Sequence, residues 1–254
     1  MKVEMRTLIL AAVGLIVLSG CKKDEEGTLQ VTFKGIYGND PLVMFETRDY
    51  ANGQRFQFSR SEFFISDLDL IDDSGNEVDL SDIELVDLTF SSESAAEAGV
   101  TFTFNNIPAR SYSNLRFGFG VASDINATTP SDYPSSSPLS NAGRYWTPWT
   151  SFIFSKTEGN LDTLTDGTDN PDLGFAYHTG TDNLFRGLQI NQNVSVTDAA
   201  TTHIIFYLDH ESLMGLPNAP IDIKAKPQNH NPQDIQQIQT LVDNLIASIT
   251  FSVE

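Results

Sequence analysis

Apolar and polar residues alternate with a period of two along much of the chain, and this alternation restricts the possible folds most. It is clear over residues 29–33 and 115–121, where every second side chain is apolar. Such a pattern is typical of β-strands with one buried face. Residues 63–71 and 203–208 are apolar on both faces, as expected for strands covered on both sides. The pattern predicts an all-β protein, a β-sandwich of immunoglobulin-like or jelly-roll type.

One helical pattern interrupts the strands, close to the C-terminus. Asn231 is a suitable N-cap, and Pro232 suits the first helical position. We therefore predict one C-terminal helix over residues 232–248. Six apolar residues recur there at helical spacing: Ile235, Ile238, Leu241, Val242, Leu245 and Ile249.

The N-terminus has the layout of a secretory signal peptide. Lys2 and Arg6 precede a short apolar run over residues 8–18, and Ser19-Gly20 stands directly before Cys21. The apolar run is shorter than the roughly 20 residues of a membrane-spanning helix. Leu18-Ser19-Gly20-Cys21 looks like a bacterial lipobox, so we expect residues 1–20 to be removed and Cys21 to be acylated. An uncleaved N-terminal anchor is the alternative.

The segment after Cys21 separates the expected lipid from the folded part. We expect residues 21–27 to form a charged tether and residues 28–254 to form a single domain. Lys22-Lys23 followed by three acidic residues also resembles a signal that exports lipoproteins to the outer face. The expected location is the outer membrane, through the N-terminal lipid anchor, with the domain either periplasmic or surface-exposed.

Charge and cysteine content exclude several functions. The formal net charge is -19, so the chain cannot neutralise a run of phosphates, and we expect no nucleic-acid partner. One cysteine excludes an internal disulfide and a thiolate zinc site. Neither a Gly-x-Ser-x-Gly nor a His-Glu-x-x-His motif occurs, so we do not expect an enzyme. The segment of residues 166–172, which contains three aspartates, could offer oxygen ligands to calcium. It lacks the twelve-residue calcium-binding pattern that ends in glutamate.

A series of short motifs resembles the MbnP-like copper-binding family, over nearly all of residues 28–254. Imidazole is a good copper ligand, and the chain has four histidines, of which two lie in these motifs. In chain order the motifs are Phe63-Phe64-Ile65-Ser66-Asp67-Leu68, Gly120-Val121 with Asp124 and Asn126, Gly143-Arg144-Tyr145-Trp146, Lys156-Thr157-Glu158-Gly159, Tyr177-His178-Thr179-Gly180 and Asn229-His230-Asn231.

The resemblance implies a secreted β-sandwich that binds copper. In that family a partner dihaem peroxidase oxidises a tryptophan to kynurenine, which offers a carbonyl and an aniline nitrogen near the metal. By motif, the oxidised tryptophan corresponds to Trp146 and the metal-binding histidines to His178 and His230. Two positions depart from the family pattern: Pro148 replaces a tryptophan or histidine, and Ser151 replaces a glycine.

Two classes of function therefore remain open. One is a copper-binding or copper-handling lipoprotein of the cell envelope, with His178, His230 and Trp146 at its site. The other is a non-enzymatic interaction module, glycan-binding or adhesive, that uses Tyr145, Trp146 and Trp149 as stacking platforms. Convergence of the two histidines beside Trp146 would favour the first class, and aromatic rings lying flat on an open surface would favour the second.

Overall fold

The computed structural model describes residues 25–230 and 235–254. The predicted signal peptide, Cys21, most of the tether and the predicted helix start at Asn231-Pro232 lie outside the described residues. The described residues form sixteen strands: β1 (Glu26–Tyr37), β2 (Asp40–Pro41), β3 (Arg48–Asp49), β4 (Arg55–Ile71), β5 (Glu77–Asp87), β6 (Val100–Pro108), β7 (Ser111–Tyr112), β8 (Asn114–Phe119), β9 (Tyr145–Trp146), β10 (Ser151–Asp162), β11 (Leu173–Gly180), β12 (Arg186–Ile190), β13 (Val194–Ser195), β14 (Thr201–Asp209), β15 (Gln228–Asn229) and β16 (Thr250–Val253).

The strands form two main sheets and one short ribbon. The smaller sheet has the order β16-β14-β1-β2, with β6 also paired to β1. The larger sheet has the order β12-β8-β4-β10-β11-β15, with β3 and β5 on β4 and β9 on β10, and β7 pairs with β13 as a ribbon. In the smaller sheet β1 and β14 run parallel, with Thr28 opposite Thr201. The all-β prediction is confirmed only in the coarser sense that the described residues are mostly β, and nothing in this strand order establishes an immunoglobulin-like or jelly-roll topology.

The core lies between the two main sheets and is rich in aromatic side chains. Phe33 on β1 stacks on Phe206 of β14, with ring centroids 5.1 Å apart. The same ring meets Phe63 and Phe117 of the larger sheet edge-on, at 6.1 and 6.0 Å. These contacts join the sheets face to face. Each fully buried ring stabilises the fold by roughly 2–3 kcal/mol through loss of water contact.

The longest helix closes the domain by packing on both sheets. Four α-helices occur in the described residues: α1 (Glu93–Ala98), α2 (Ser123–Asn126), α3 (His210–Leu213) and α4 (Gln236–Ser248). Helix α4 contacts α3, β11 of the larger sheet and β14 of the smaller sheet. Its buried side chains are Ile238, Leu241, Val242 and Leu245, as the helical spacing predicts. Single 3-10 turns occupy Ala51–Gly53, Pro130–Asp132, Pro138–Ser140, Ala142–Arg144, Thr147–Trp149 and Asp182–Leu184.

The alternation of apolar and polar residues over 221–223 predicts a short strand, and this prediction is wrong. Ile221 and Ile223 are buried on either side of exposed Asp222, but the segment belongs to no strand. The Tyr50 hydroxyl donates to the Ile221 carbonyl and accepts from the Ile223 amide, so a side chain replaces the ladder of a neighbouring strand. Alternation here reflects burial without strand pairing.

Candidate metal centre

Two histidines that are distant in the sequence become neighbours through the pairing of β11 with β15. The strands run parallel, and Tyr177 lies opposite Asn229. His178 and His230 follow these two residues, so their side chains lie side by side on the opposite face of the sheet. Their ring centroids are 4.5 Å apart, with planes inclined by 63°.

Hydrogen bonds on the buried side of the same strands hold this pairing. The Tyr177 hydroxyl donates to the Lys226 carbonyl at 3.0 Å, and the Gln237 side chain donates to the same carbonyl at 3.2 Å. The Asn229 side chain donates to Gln237 at 3.2 Å. Because Gln237 belongs to α4, the C-terminal helix fastens the short segment that leads to His230.

Trp146 lies against the histidine pair. Strand β9 pairs with the start of β10 and sets Trp146 opposite Ser151. The indole stacks on the His230 ring with a centroid distance of 5.7 Å and an interplanar angle of 16°. Trp146 is half-buried, whereas Trp149 is only 9% exposed. Tyr145 packs edge-on against Phe152, so these rings do not form a flat open platform.

Two motif glycines are required by close packing around the site. A Cβ at Gly180 would lie 2.7 Å from the Trp149 ring, closer than real contacts allow. A Cβ at Gly159 would lie 2.1 Å from the Gln57 carbonyl oxygen. The final glycine of Tyr177-His178-Thr179-Gly180 therefore makes room for Trp149, and that of Lys156-Thr157-Glu158-Gly159 allows a close approach of the strands.

A buried charged cluster fixes the segment before Trp146. Arg144 donates to both carboxylate oxygens of Glu62, at 3.3 and 3.0 Å. Lys156 donates to the Gly143 carbonyl at 2.9 Å and lies 3.7 Å from Glu62. Burial lowers the pKa of Lys156, and the Glu62 charge opposes that shift. Removing one partner of such a buried pair typically costs about 3–5 kcal/mol, so the cluster locks the Trp146 segment to β4 and β10.

A second charged group contacts His178 directly. The Nε2 atom of His178 lies 2.8 Å from Glu158 Oε1, and Arg60 lies 3.7 Å from the same oxygen. The hydrogen bond from His178 holds the pKa of Glu158 below its ordinary value, and the Arg60 charge adds to this against the effect of burial. Glu158 is therefore ionised at neutral pH.

The other ring nitrogens of the pair are free to act as ligands. Nδ1 of His178 and Nδ1 of His230 are both buried and have no hydrogen-bond partner in the described part of the chain. Burial lowers the pKa of His230, and the neighbouring His178 lowers it further, so its imidazole is neutral at pH 7. A neutral imidazole nitrogen is a metal ligand, and an unpaired buried one is costly without a partner. The pair thus offers two unpaired imidazole nitrogens as candidate metal ligands.

The remaining candidates lie apart from this pair. His203 bonds to Thr32 at 2.7 Å, and His210 bonds to Ser61 in the core. Pro148 is exposed in a 3-10 turn and offers no ligand atom. Within residues 25–230 and 235–254, no group of three or more histidine, cysteine, aspartate or glutamate side chains could hold a metal ion.

The acidic loop considered for calcium holds itself together. Asp166 accepts from the amide and hydroxyl of Thr168, and Asp172 accepts from the amide and hydroxyl of Thr163. These bonds hold the pKa values of both carboxyl groups below their ordinary range. The carboxylates thus stabilise the loop turns.

Two further residues of the motifs, Asn126 and Ser66, do not contact the histidine pair and have structural roles. Asn126 is buried and accepts hydrogen bonds from the Phe152 amide at 2.9 Å and the Ser151 hydroxyl at 3.0 Å. Buried Ser66 donates to the Gly120 carbonyl at 2.9 Å and accepts from the Ala122 amide at 3.1 Å. The motifs that contain Asn126 and Ser66 therefore serve the packing of β4, β8 and β10, and these two residues need no role in metal binding.

Sequence reasoning missed Arg60 and Glu62 as part of the site. Both lie on β4, the long strand whose second half was predicted to be central. Charged residues beside an apolar central strand are rarely buried without partners, and Glu62 is only 5% exposed. Its position in a buried strand was the available signal.

The described residues thus form a two-sheet β protein in which two adjacent histidines lie against a tryptophan. The chain belongs to the MbnP family, whose family model matches residues 26–235. Its structure is similar to that of MbnP from Methylosinus trichosporium, with a TM-score of 0.50 and 13% sequence identity. That match covers 74% of this chain and 78% of the other, and it shows the fold. No curated protein matches the sequence significantly. None of the described helices is long and apolar enough to span a membrane.

Proposed function

We propose that this protein is a copper-binding lipoprotein of the cell envelope in which His178 and His230 are the nitrogen ligands. The observation that carries the proposal is the pair of adjacent imidazoles, 4.5 Å apart, each with a buried and unpartnered Nδ1. Membership of the MbnP family supports copper as the metal.

The composition of the site also favours copper over other divalent metals. The site has imidazole nitrogens and no thiolate, and structural zinc sites normally need four side-chain ligands. Among the divalent first-row metals, copper has the highest affinity for nitrogen ligands in the Irving–Williams order.

The proposal extends to oxidation of Trp146 to kynurenine by a partner dihaem peroxidase. Trp146 is half-buried and stacked on His230, so a partner can reach it, whereas Trp149 is packed on Gly180. Kynurenine would supply an aniline nitrogen and a carbonyl beside the two imidazoles. Such a group would compensate for the missing ligand at Pro148.

Acylation of Cys21 and attachment to the outer membrane complete the proposed function. Several acyl chains on one residue give a stable anchor.

Metal analysis of the exported protein tests the copper proposal. Wild type, His178→Ala, His230→Ala and the control His203→Ala would be expressed in the periplasm with copper and purified without chelator. We expect copper in wild type and in His203→Ala, and none in the two site variants. Equal copper in all four proteins would contradict the assignment.

Intact-mass measurement after co-expression with a dihaem peroxidase tests the tryptophan separately. Conversion to kynurenine removes one carbon and adds one oxygen. We expect this change in wild type and in Trp149→Phe, and its loss in Trp146→Phe. The same change in Trp146→Phe would refute the assignment of Trp146.

A further inference from the structure

We propose that Glu158 is a positioning residue that makes Nδ1 the metal-binding nitrogen of His178. This inference rests on the proposed copper site, because it assigns a role to a side chain that contacts one of its ligands. It concerns which of the two ring nitrogens carries the proton before any metal arrives.

The hydrogen bond between the two side chains determines that choice. His178 Nε2 lies 2.8 Å from Glu158 Oε1. An ionised carboxylate only accepts hydrogen bonds, so the Nε2 atom must be the donor and must carry the proton. In the neutral ring Nδ1 then has the free lone pair, and Nδ1 is the buried atom without a partner in the described residues. The carboxylate thus bonds to one nitrogen of the ring, and the proposed metal would bind to the other.

The sheet fixes the carboxylate in this position. On β10 and β11, Lys156 lies opposite His178, and Glu158 lies opposite Ala176. Glu158 and His178 are thus diagonal neighbours on one face, within reach of long side chains. Arg60 from β4 holds the same carboxylate oxygen from the other side, at 3.7 Å. Glu158 and Arg60 lie on β10 and β4, which are both interior strands of the larger sheet. Glu158 therefore holds its orientation more firmly than a loop residue would.

Such an arrangement has a measurable consequence for metal affinity. A carboxylate bonded to the far nitrogen of a histidine ligand fixes its tautomer and ring orientation, and its loss typically lowers metal affinity 10–100-fold. Glutamine at position 158 has the same shape but can both donate and accept. It can bond to either tautomer, so Glu158→Gln removes the selection while preserving packing.

Nitrogen NMR of the metal-free protein reads the tautomer directly. Long-range proton–nitrogen spectra of histidine-labelled wild type, Glu158→Gln, Glu158→Leu and the control Glu97→Gln would be recorded at pH 8, above the ordinary histidine pKa of about 6.5. Glu97 is exposed on α1, far along the chain from both histidines, so its variant matches the loss of charge. Copper affinity of the same four proteins would be measured by competition with a chelator.

We expect His178 to be entirely in the Nε2–H form in wild type and Glu97→Gln. In Glu158→Gln and Glu158→Leu we expect a measurable Nδ1–H population and copper affinity 10–100-fold weaker. An Nδ1–H form of His178 in wild type would overturn the proposal, as would wild-type tautomer and affinity in both Glu158 variants. If wild type binds no copper, the proposed function fails, and the tautomer of the metal-free proteins still decides the role of Glu158.

Discussion

Lowering the pH from 7 to 4 will destabilise this domain through His210, whose position explains the effect. The ring is 1% exposed, and its Nδ1 donates to the Leu208 carbonyl at 3.0 Å. Its Nε2 accepts from the Ser61 hydroxyl at 2.7 Å, and the ring meets Phe58 edge-on at 5.5 Å. Both nitrogens are hydrogen-bonded in the neutral imidazole, and burial of the ring disfavours its protonated form. Ser61 lies between Arg60 and Glu62 on β4.

The magnitude follows from the two pKa values. Burial lowers the pKa of His210 to about 4, whereas the unfolded chain has the ordinary value of 6.5. The unfolded state therefore takes up the proton at a higher pH than the folded state does. As a result, the free energy of unfolding falls as the pH decreases below 6.5. The contribution of His210 is fully present above that value, and about 2 kcal/mol of it is lost by pH 5 and about 3 kcal/mol by pH 4.

Urea unfolding at pH 7.5, 5 and 4 measures this loss. His210→Gln cannot titrate, so its free energy of unfolding should fall by about 2–3 kcal/mol less than that of wild type over the same range. Identical pH dependence of wild type and His210→Gln would refute the reasoning.

Three further changes test other parts of the structure. Asn126→Ala leaves the buried Phe152 amide without its acceptor, so the free energy of unfolding should fall by about 1–3 kcal/mol in urea, and an unchanged value would contradict the role of the side chain. Gly180→Ala should lower the melting temperature and shift the fluorescence of Trp149, because the new Cβ would lie 2.7 Å from its ring; unaltered emission would show that the ring is not held there. Cys21→Ser should release the protein from membrane fractions, and a variant that stays bound at the same size would rule out acylation.

Much of the architecture follows from local patterns, and the exceptions have physical causes. The strands at residues 63–71 and 203–208 are central and buried as predicted, and α4 ends at Ser248 as predicted. β5 (Glu77–Asp87) was not predicted, because acidic residues fill its exposed positions and a register shift against β4 breaks its alternation. The parallel pairing of β1 with β14 joins distant segments, and local periodicity does not encode it.

The candidate site was predictable in its members but not in its construction. Motif resemblance singled out Trp146, His178 and His230, and the structure brings all three together. Their contact depends on the pairing of Tyr177 with Asn229, a register between strands that no local pattern states. The side chains that orient the site, Glu62 on β4 and Glu158 on β10, come from other strands, so only the assembled sheet shows their role.

Competitive copper titration tests the central claim most directly. Wild type, the double variant His178→Ala/His230→Ala and the control His203→Ala would compete with one chelator at neutral pH. We predict that the double variant loses all measurable binding at the chelator concentration where wild type is half-saturated. The control should keep the wild-type affinity, since His203 bonds to Thr32 and lies apart from the site. Equal affinity of wild type and His178→Ala/His230→Ala would contradict the account.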